Sequence, residues 1–441
     1  MTGRGPGRTV AVLGAGVAGL AAARSLRRAG CRVVVLEREA CAGGMAAGFD
    51  AGGMRLDRYY HYFNEGDDEA ARTVQEVLPG RRILWKSVPV GMFRQGRAWP
   101  FSTPWELLTF PPLGPLDRVR LCAHLARTAV VRDPSRLQRV PAADWLRAWL
   151  GDEGYAAVWE PLLARKFGPH APRVSAAWLW ARIRRMAAAP PRHGWHRTYG
   201  YLPGGAFRLA EGLAERALEE GVEVRLGAEA RGLQARGGRI EGIVADGGPL
   251  EADAVVSTLP TSLLASRIEG PGAPAWRPST AWLPVTVLVL RLRRALTSFF
   301  WLNTNDPGFR TAGVIDTAIL DPLPALAGRH LLYVPFYAAT HPVLAGGDAD
   351  ALLDWVWDDL ARLCPGLSRG DVDGRWSFRD AFGQSVCEAG EPPSSGGATP
   401  FGNLVAVDAS NLHPFDRTLD GALRLGKAAA ARTLAILGGS P

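Results

Sequence analysis

Residues Thr9–Glu37, TVAVLGAGVAGLAAARSLRRAGCRVVVLE, constrain this chain more than any other stretch. A β-branched run, Val10–Leu13, leads into Gly14-Ala-Gly16-Val-Ala-Gly19 and then a helical pattern over about Val17–Ala29. A second valine-rich run, Val33–Leu36, ends on Glu37. Gly14 permits a tight strand-to-helix turn, Gly16 lets the backbone approach a pyrophosphate, and Gly19 lets the helix press on the sheet. The helix N-terminus offers free N–H groups and partial positive charge to phosphates. Glu37, at the end of the second strand, is placed to accept hydrogen bonds from ribose hydroxyls. A bare glycine motif is weak evidence, but strand, turn, helix, strand and acid in that order are the context an adenine dinucleotide site requires.

The order of the remaining segments narrows the cofactor. After Glu37, the loop Arg38–Met45 carries the pair Gly43-Gly44, either a second clamp on the pyrophosphate or a surface turn. From Glu65 to about Met186 the pattern reads as helical, rich in tryptophan and arginine and broken at Pro111–Pro115 and Pro190–Pro191. Tyr201-Leu-Pro-Gly204-Gly205 then opens an amphipathic helix with Leu209, Leu213 and Ala217 on one face. A strand (Val222–Leu226), a hairpin around RGGRIEGIVADGG and the apolar run Ala254–Pro260 follow. A strand-rich region spans about Trp282–Phe382, and Asn403–Asp408 and Leu419–Leu437 read as a last strand and helix. Dinucleotide-fold elements thus stand at both ends and in the middle, around two insertions. The fold expected is α/β: a discontinuous Rossmann-like domain (residues 1–64, 196–275 and 396–441) with an inserted substrate domain of a helical part (65–195) and a mixed β-sheet part (276–395). A nicotinamide dehydrogenase more often keeps its cofactor domain contiguous, so this layout favours FAD.

The bulk numbers exclude other classes. A length of 441 residues predicts more than one domain, and 47% apolar with 21% charged residues predicts an ordinary soluble protein. The net charge of +8 invites a nucleic-acid reading, but all but three of the 51 basic residues are arginine and no basic run interleaves with aromatics. That skew reads as codon bias, and no nucleic-acid partner is expected. Five scattered cysteines, without CxxC pairs or a histidine cluster, argue against a metal site or disulfide framework and for a reducing cytosol. No signal peptide or bilayer-crossing run is read, so a cytoplasmic protein, at most peripheral to the inner membrane, is expected.

With these motifs in place, the chain resembles the flavin amine oxidase superfamily, which includes protoporphyrinogen oxidase, phytoene desaturase and UDP-galactopyranose mutase. VAVLGAGVAGLAAA…VVVLEREACAGGMA is similar to its two N-terminal FAD signatures. The resemblance implies Gly14, Gly16 and Gly19 around the pyrophosphate and Glu37 on the adenosine ribose. It implies Arg38, Gly43, Gly44 and Met45 along the phosphates and flavin, and the Ala230 backbone on adenine. NLVAVDASNLHPFDRTLDGALRLGKAAA is similar to the C-terminal motif, placing Asp408 near the ribityl or phosphate end and Leu419 and Asp420 at a helix start aimed at flavin O2. Val407 stands where relatives usually carry glycine.

Asp57–Phe63 falls where relatives place residues beside the isoalloxazine, with His61 and Phe63 matching the mutase's His-x-Phe. Glu160–Gly168 is similar to the mutase's Lys-x-Trp-Gly segment, around Lys166. The mutase's pyrophosphate-gripping arginines and tyrosines find no match, and the amine oxidases' flavin-facing lysine is missing.

His61 is the first candidate for a polar active-site role, because its ordinary pKa lies near neutrality; a histidine packed among aromatics is the alternative. Alternation sends Tyr60 and Tyr62 one way and Tyr59 and His61 the other, so one pair sees substrate. Lys166, kept in an arginine-rich chain, is either a required compact ammonium or a surface residue. Trp178 and Trp180, with Arg182, Arg184, Arg185, Arg192 and Arg197, make either a head-group site or a packed helix with a solvated arginine face. Trp105–Leu116 is a membrane-touching loop, a substrate portal or inter-domain packing. The reading adopted is an FAD-dependent oxidoreductase that dehydrogenates a bulky, partly apolar small molecule in a biosynthetic pathway, with oxygen or another electron acceptor. A redox-neutral mutase-like enzyme on a sugar nucleotide or glycolipid, and a flavin-binding scaffold without turnover, are the alternatives.

Overall fold

The computed structural model describes residues 7–187, 197–337, 341–391 and 396–438. Arg192 and the Pro190–Pro191 break lie outside the described residues.

Five short strands pair in parallel, in the order Leu404–Ala406, Ala254–Ser257, Thr9–Leu13, Arg32–Leu36, Glu223–Arg225. The three in the middle read as continuous apolar runs because both faces are covered. Val10, Val12, Val33 and Val35 pack under the helices Val17–Arg28, Phe207–Glu219 and Leu419–Ile436, through Leu20, Leu209, Leu213 and Leu423. Ala11, Leu13, Val34 and Leu36 face Leu233, Ile240 and Ile243 of a four-stranded sheet over residues 230–269. The first and last helices approach so closely that a Cβ on Gly426 would lie 2.1 Å from the Ala18 carbonyl oxygen. Gly426→Val is therefore expected to force them apart and cost about 2 kcal/mol. Urea unfolding checks this, and a wild-type midpoint would contradict the close packing.

A seven-stranded sheet, Val372–Val386, Ala281–Leu292, His330–Tyr337, Gly313–Asp316, Trp301–Thr304, Val90–Arg94, Arg97–Pro100, forms the second domain. Its alternation decides what faces the cofactor domain. Leu288, Leu290, Leu332 and Val334 pack under the helix Ala349–Leu363. On the other face Val285, Val287, Val289, Leu331 and Tyr333 meet Phe49, Leu56 and Tyr59.

This sheet corrects the reading of 65–195 as a helical part. Leu84–Ser87, Val90–Arg94 and Arg97–Pro100 are strands, and Val90–Phe93 pairs in parallel with Trp301–Thr304. The two inserted parts therefore share one sheet. Leu84–Ser87 pairs instead with Thr198–Tyr201. Among its described residues the rest of that insertion is mainly helical: Pro115–Val130, Ala142–Val158, Glu160–Phe167 and Ala176–Ala187 pack around a core that includes Phe110, Leu146, Phe167 and Trp178. Phe110 and Leu113 are buried while Trp105 and Leu116 are exposed, so the Trp105–Leu116 stretch packs on one side only.

Candidate active site

Two glycine loops meet at the C-terminal end of the parallel sheet, where ligands of such folds bind. Gly14 turns with φ +100° and donates its N–H to the Leu36 carbonyl at 2.8 Å. The Gly43 N–H bonds the Ala15 carbonyl at 2.8 Å, and a Cβ on Gly44 would come within 3.3 Å of the Gly16 Cα. Gly19 has no room either, since its Cβ would lie 1.9 Å from the Gly14 carbonyl oxygen. Gly16 differs: a Cβ there would meet nothing within 4 Å. A tight turn, an open flank at a helix N-terminus and a second glycine loop beside it fit a pyrophosphate.

Glu37 is buried beside this turn, its carboxylate accepting from the Ala15 N–H at 2.7 Å and the Glu39 N–H at 2.9 Å. Each oxygen keeps a further lone pair for ribose hydroxyls. Arg38 points outward, 3.5 Å from Glu39. The Ala230 carbonyl accepts from Arg267 at 2.6 Å. Asp408 is buried, and its oxygens accept from the Thr261 N–H (2.7 Å) and the Ser410 N–H (2.8 Å), holding the turn after the last strand. Thr418 caps the last helix, accepting from the Gly421 N–H at 2.9 Å. Leu419 and Asp420 follow it, both buried, and Asp420 accepts from the Ala70 N–H at 2.9 Å, tying this helix to the start of Asp68–Val77.

The segment 57–63 leaves the strand Arg55–Asp57 through a bend at Arg58 and Tyr59 and is pinned at its start. Asp57 accepts from the Ala206 and Phe207 N–H groups at 3.0 and 2.7 Å, and the Tyr333 hydroxyl donates to its carbonyl at 2.7 Å. Tyr60 and Tyr62 both stand edge-on to Trp301, with ring centroids 5.3 and 6.1 Å away, whereas Tyr59 meets Phe378. The Tyr60 and Tyr337 hydroxyls share a hydrogen bond at 3.0 Å. Burial, with Tyr337 beside it, pushes the Tyr60 phenol well up, so it stays neutral.

His61 lines a cavity of about 30 Å³ with Asp57, Asp321 and Tyr333, and its buried Nδ1 has no hydrogen-bond partner. Burial first, and then the positive charge of Arg417, lower its pKa to about 4. The unfolded chain therefore takes up this proton first, and the stability due to the neutral ring is whole above pH 6.5 and lost as pH falls through 4. Asp57, raised by burial to about 7, has the opposite sign: its contribution is whole below 3.8 and lost as pH rises through 7. The difference between wild type and His61→Gln isolates the histidine. That gap is expected to change by about 3 kcal/mol between pH 7 and pH 4. Urea titrations at the two pH values measure it, and a constant gap would contradict a buried neutral imidazole.

Lys166 is no surface lysine. Its ammonium lies 3.5 Å from Asp416 and over the Trp178 ring at 4.7 Å, and burial brings its pKa down to about 8 against the pull of that carboxylate. Asp416 also takes a bond from Arg182 at 3.1 Å. Burial opposes its charge, but Lys166, Arg182 and Arg417 hold its carboxyl well below the usual range. Lys166 reaches the tyrosines through Tyr337, whose ring it faces at 5.5 Å. Arg417 donates to the Met45 sulfur at 3.1 Å, linking this group to the second glycine loop. The structure thus gathers Tyr60 and Lys166 into one polar group, while His61 points from the same segment into the neighbouring cavity. Asp416, Tyr337 and Arg417 are its unforeseen members.

The tryptophan–arginine cluster is not a surface. Trp178 and Trp180 are buried, Arg184 donates to the Val131 carbonyl, Arg185 pairs with Asp67, and Arg197 donates to the Met186 carbonyl. These bonds hold Arg184, Arg185 and Arg197 against the protein's own fold. No helix among the described residues is long and apolar enough to cross a membrane.

A family model described as flavin containing amine oxidoreductase matches residues 17–434, nearly the whole chain. The chain belongs to this family. FAD is its cofactor, as the glycine cradle indicates. A phytoene dehydrogenase of Streptomyces griseus is 28% identical over 291 residues, which cover 59% of this chain and 56% of that protein. The match thus spans just over half the length of that curated relative. Among solved structures, a provisionally named protoporphyrinogen oxidase from Exiguobacterium sp. 255-15 superposes with a TM-score of 0.73 at 17% identity, covering 99% of this chain and 100% of the other. A reduced UDP-galactopyranose mutase superposes with a TM-score of 0.70 at 17% identity, covering 97% and 96%. At these identities the two structures speak for the fold of this flavin amine oxidoreductase, not for its substrate.

Proposed function

We propose that this FAD-dependent oxidoreductase dehydrogenates a bulky, partly apolar small molecule in a biosynthetic pathway, and that electrons leave to oxygen or another acceptor. The observation that carries this reading is the aromatic cluster of Tyr60, Tyr62, Trp301 and Tyr337, with the recessed Lys166 ammonium facing Tyr337. Bound FAD supplies the two-electron acceptor chemistry. The chain's own residues orient the substrate, exclude water and handle the proton. Tyr60, Tyr62 and Trp301 offer rigid flat faces to an apolar body. Lys166, with a pKa near 8, is matched to proton transfer close to neutral pH, whereas His61, near 4, is a weak base there. His61 accordingly shapes the site as a neutral ring.

Anaerobic titration of the yellow holoenzyme with intermediates of the neighbouring genes' pathway tests the proposal. Stoichiometric bleaching by one compound supports it. Turnover that needs prior dithionite reduction, with no net oxidation, would replace it with the mutase reading, and bound FAD that no metabolite reduces would leave a scaffold.

A further inference from the structure

Lys166, Arg182 and Asp416 carry more positive than negative charge. Among the described residues, Asp416 is the one carboxylate within ion-pair distance of either cation, at 3.5 Å from Lys166 and 3.1 Å from Arg182. Arg417 adds a third positive charge acting on Lys166 and Asp416. With Arg417 left to the cofactor side, beside Met45, a surplus of one charge remains.

An uncompensated cation removed from water is costly, and a bound anion that supplies the missing charge offsets that cost. The group is recessed but reachable: the side chains of Lys166, Asp416 and Arg182 are 15%, 16% and 29% exposed. Around it stand the bonded Tyr60 and Tyr337 hydroxyls and the Trp178 ring.

We propose that the substrate carries an oxyanion, a carboxylate or a phosphate, which seats on Lys166 and Arg182 while its apolar body lies against the aromatic cluster. The guanidinium fork of Arg182 suits either group, and the compact ammonium of Lys166 adds a second point of charge. This inference rests on the proposed function in taking the aromatic cluster as the substrate's place.

Three probes of one shape, 1-naphthoate, 1-naphthyl phosphate and 1-naphthalenemethanol, test it on the oxidised holoenzyme, with perturbation of the flavin absorption as the readout of binding. At least one anion is expected to bind about 30-fold more tightly than the alcohol. Arg182→Met and Lys166→Met are each expected to weaken that anion about tenfold. Neither should lower the unliganded melting temperature, since each removes surplus charge. Equal binding of all three probes, or unchanged anion affinity in both variants, would overturn the proposal. Anion binding without flavin reduction by any candidate substrate would defeat the dehydrogenation reading and leave the anion site standing. Reduction by an uncharged compound, with no anion bound, would defeat the anion site alone.

Discussion

Gly16→Ala is expected to fold as the wild type and to lose most of its affinity for FAD. The residue has φ −70° and ψ 175°, which alanine adopts without strain, and a Cβ there meets no protein atom within 4 Å. Apo-protein stability should therefore stay within about 0.5 kcal/mol of wild type. The open flank is the space the pyrophosphate needs, so a methyl group in it should weaken FAD about 100-fold, or about 2.7 kcal/mol. Gly19→Ala provides the contrast. Its Cβ would overlap the Gly14 carbonyl at 1.9 Å, so the first helix must shift and the apo-protein itself should lose about 3 kcal/mol. Thermal unfolding of the apo-proteins and quenching of FAD fluorescence separate the two effects. Wild-type FAD binding by Gly16→Ala would show that the phosphates lie elsewhere.

Asp416→Ala should be the most destabilising change in the polar group of Lys166, Arg182 and Asp416. It leaves Lys166 and Arg182 facing each other without their shared carboxylate, and removing one member of a buried pair costs about 3–5 kcal/mol. Adding Lys166→Met and Arg182→Met to Asp416→Ala should recover most of that loss, because the buried charges are then gone. Urea unfolding of the single and triple variants reads the difference. A loss below about 1 kcal/mol for Asp416→Ala would mean that the three groups are solvated, as surface pairs are.

The cofactor domain was legible because its determinants are local. Gly14, Gly16, Gly19 and Glu37 act within one strand–helix–strand unit, and the continuous apolar runs report strands covered on both faces. The strands at 84–100 were not legible, because their pairing comes from Trp301–Thr304, some 200 residues away, and Trp85, Trp99 and the flanking arginines sit as well in a helix pattern. Lys166 stood out against the arginine bias, yet whether it was buried depended on Asp416, 250 positions later. Arg182 looked like part of a solvated arginine face because Arg184 and Arg185 follow it; its helix turns that one side chain into the site. A signal for Asp416 was present in the C-terminal motif, as an acid two residues before the Thr418 cap, but nothing in sequence named its partners.

The 14–45 cradle is expected to hold the adenosine diphosphate half of an extended cofactor. Competition binding to the apo-protein tests it most directly, with FAD fluorescence as the signal and ADP and FMN as competitors. One FAD per chain, displaced by ADP and held far more tightly than FMN, is the predicted result; FMN binding as tightly as FAD, with ADP unable to compete, would contradict it.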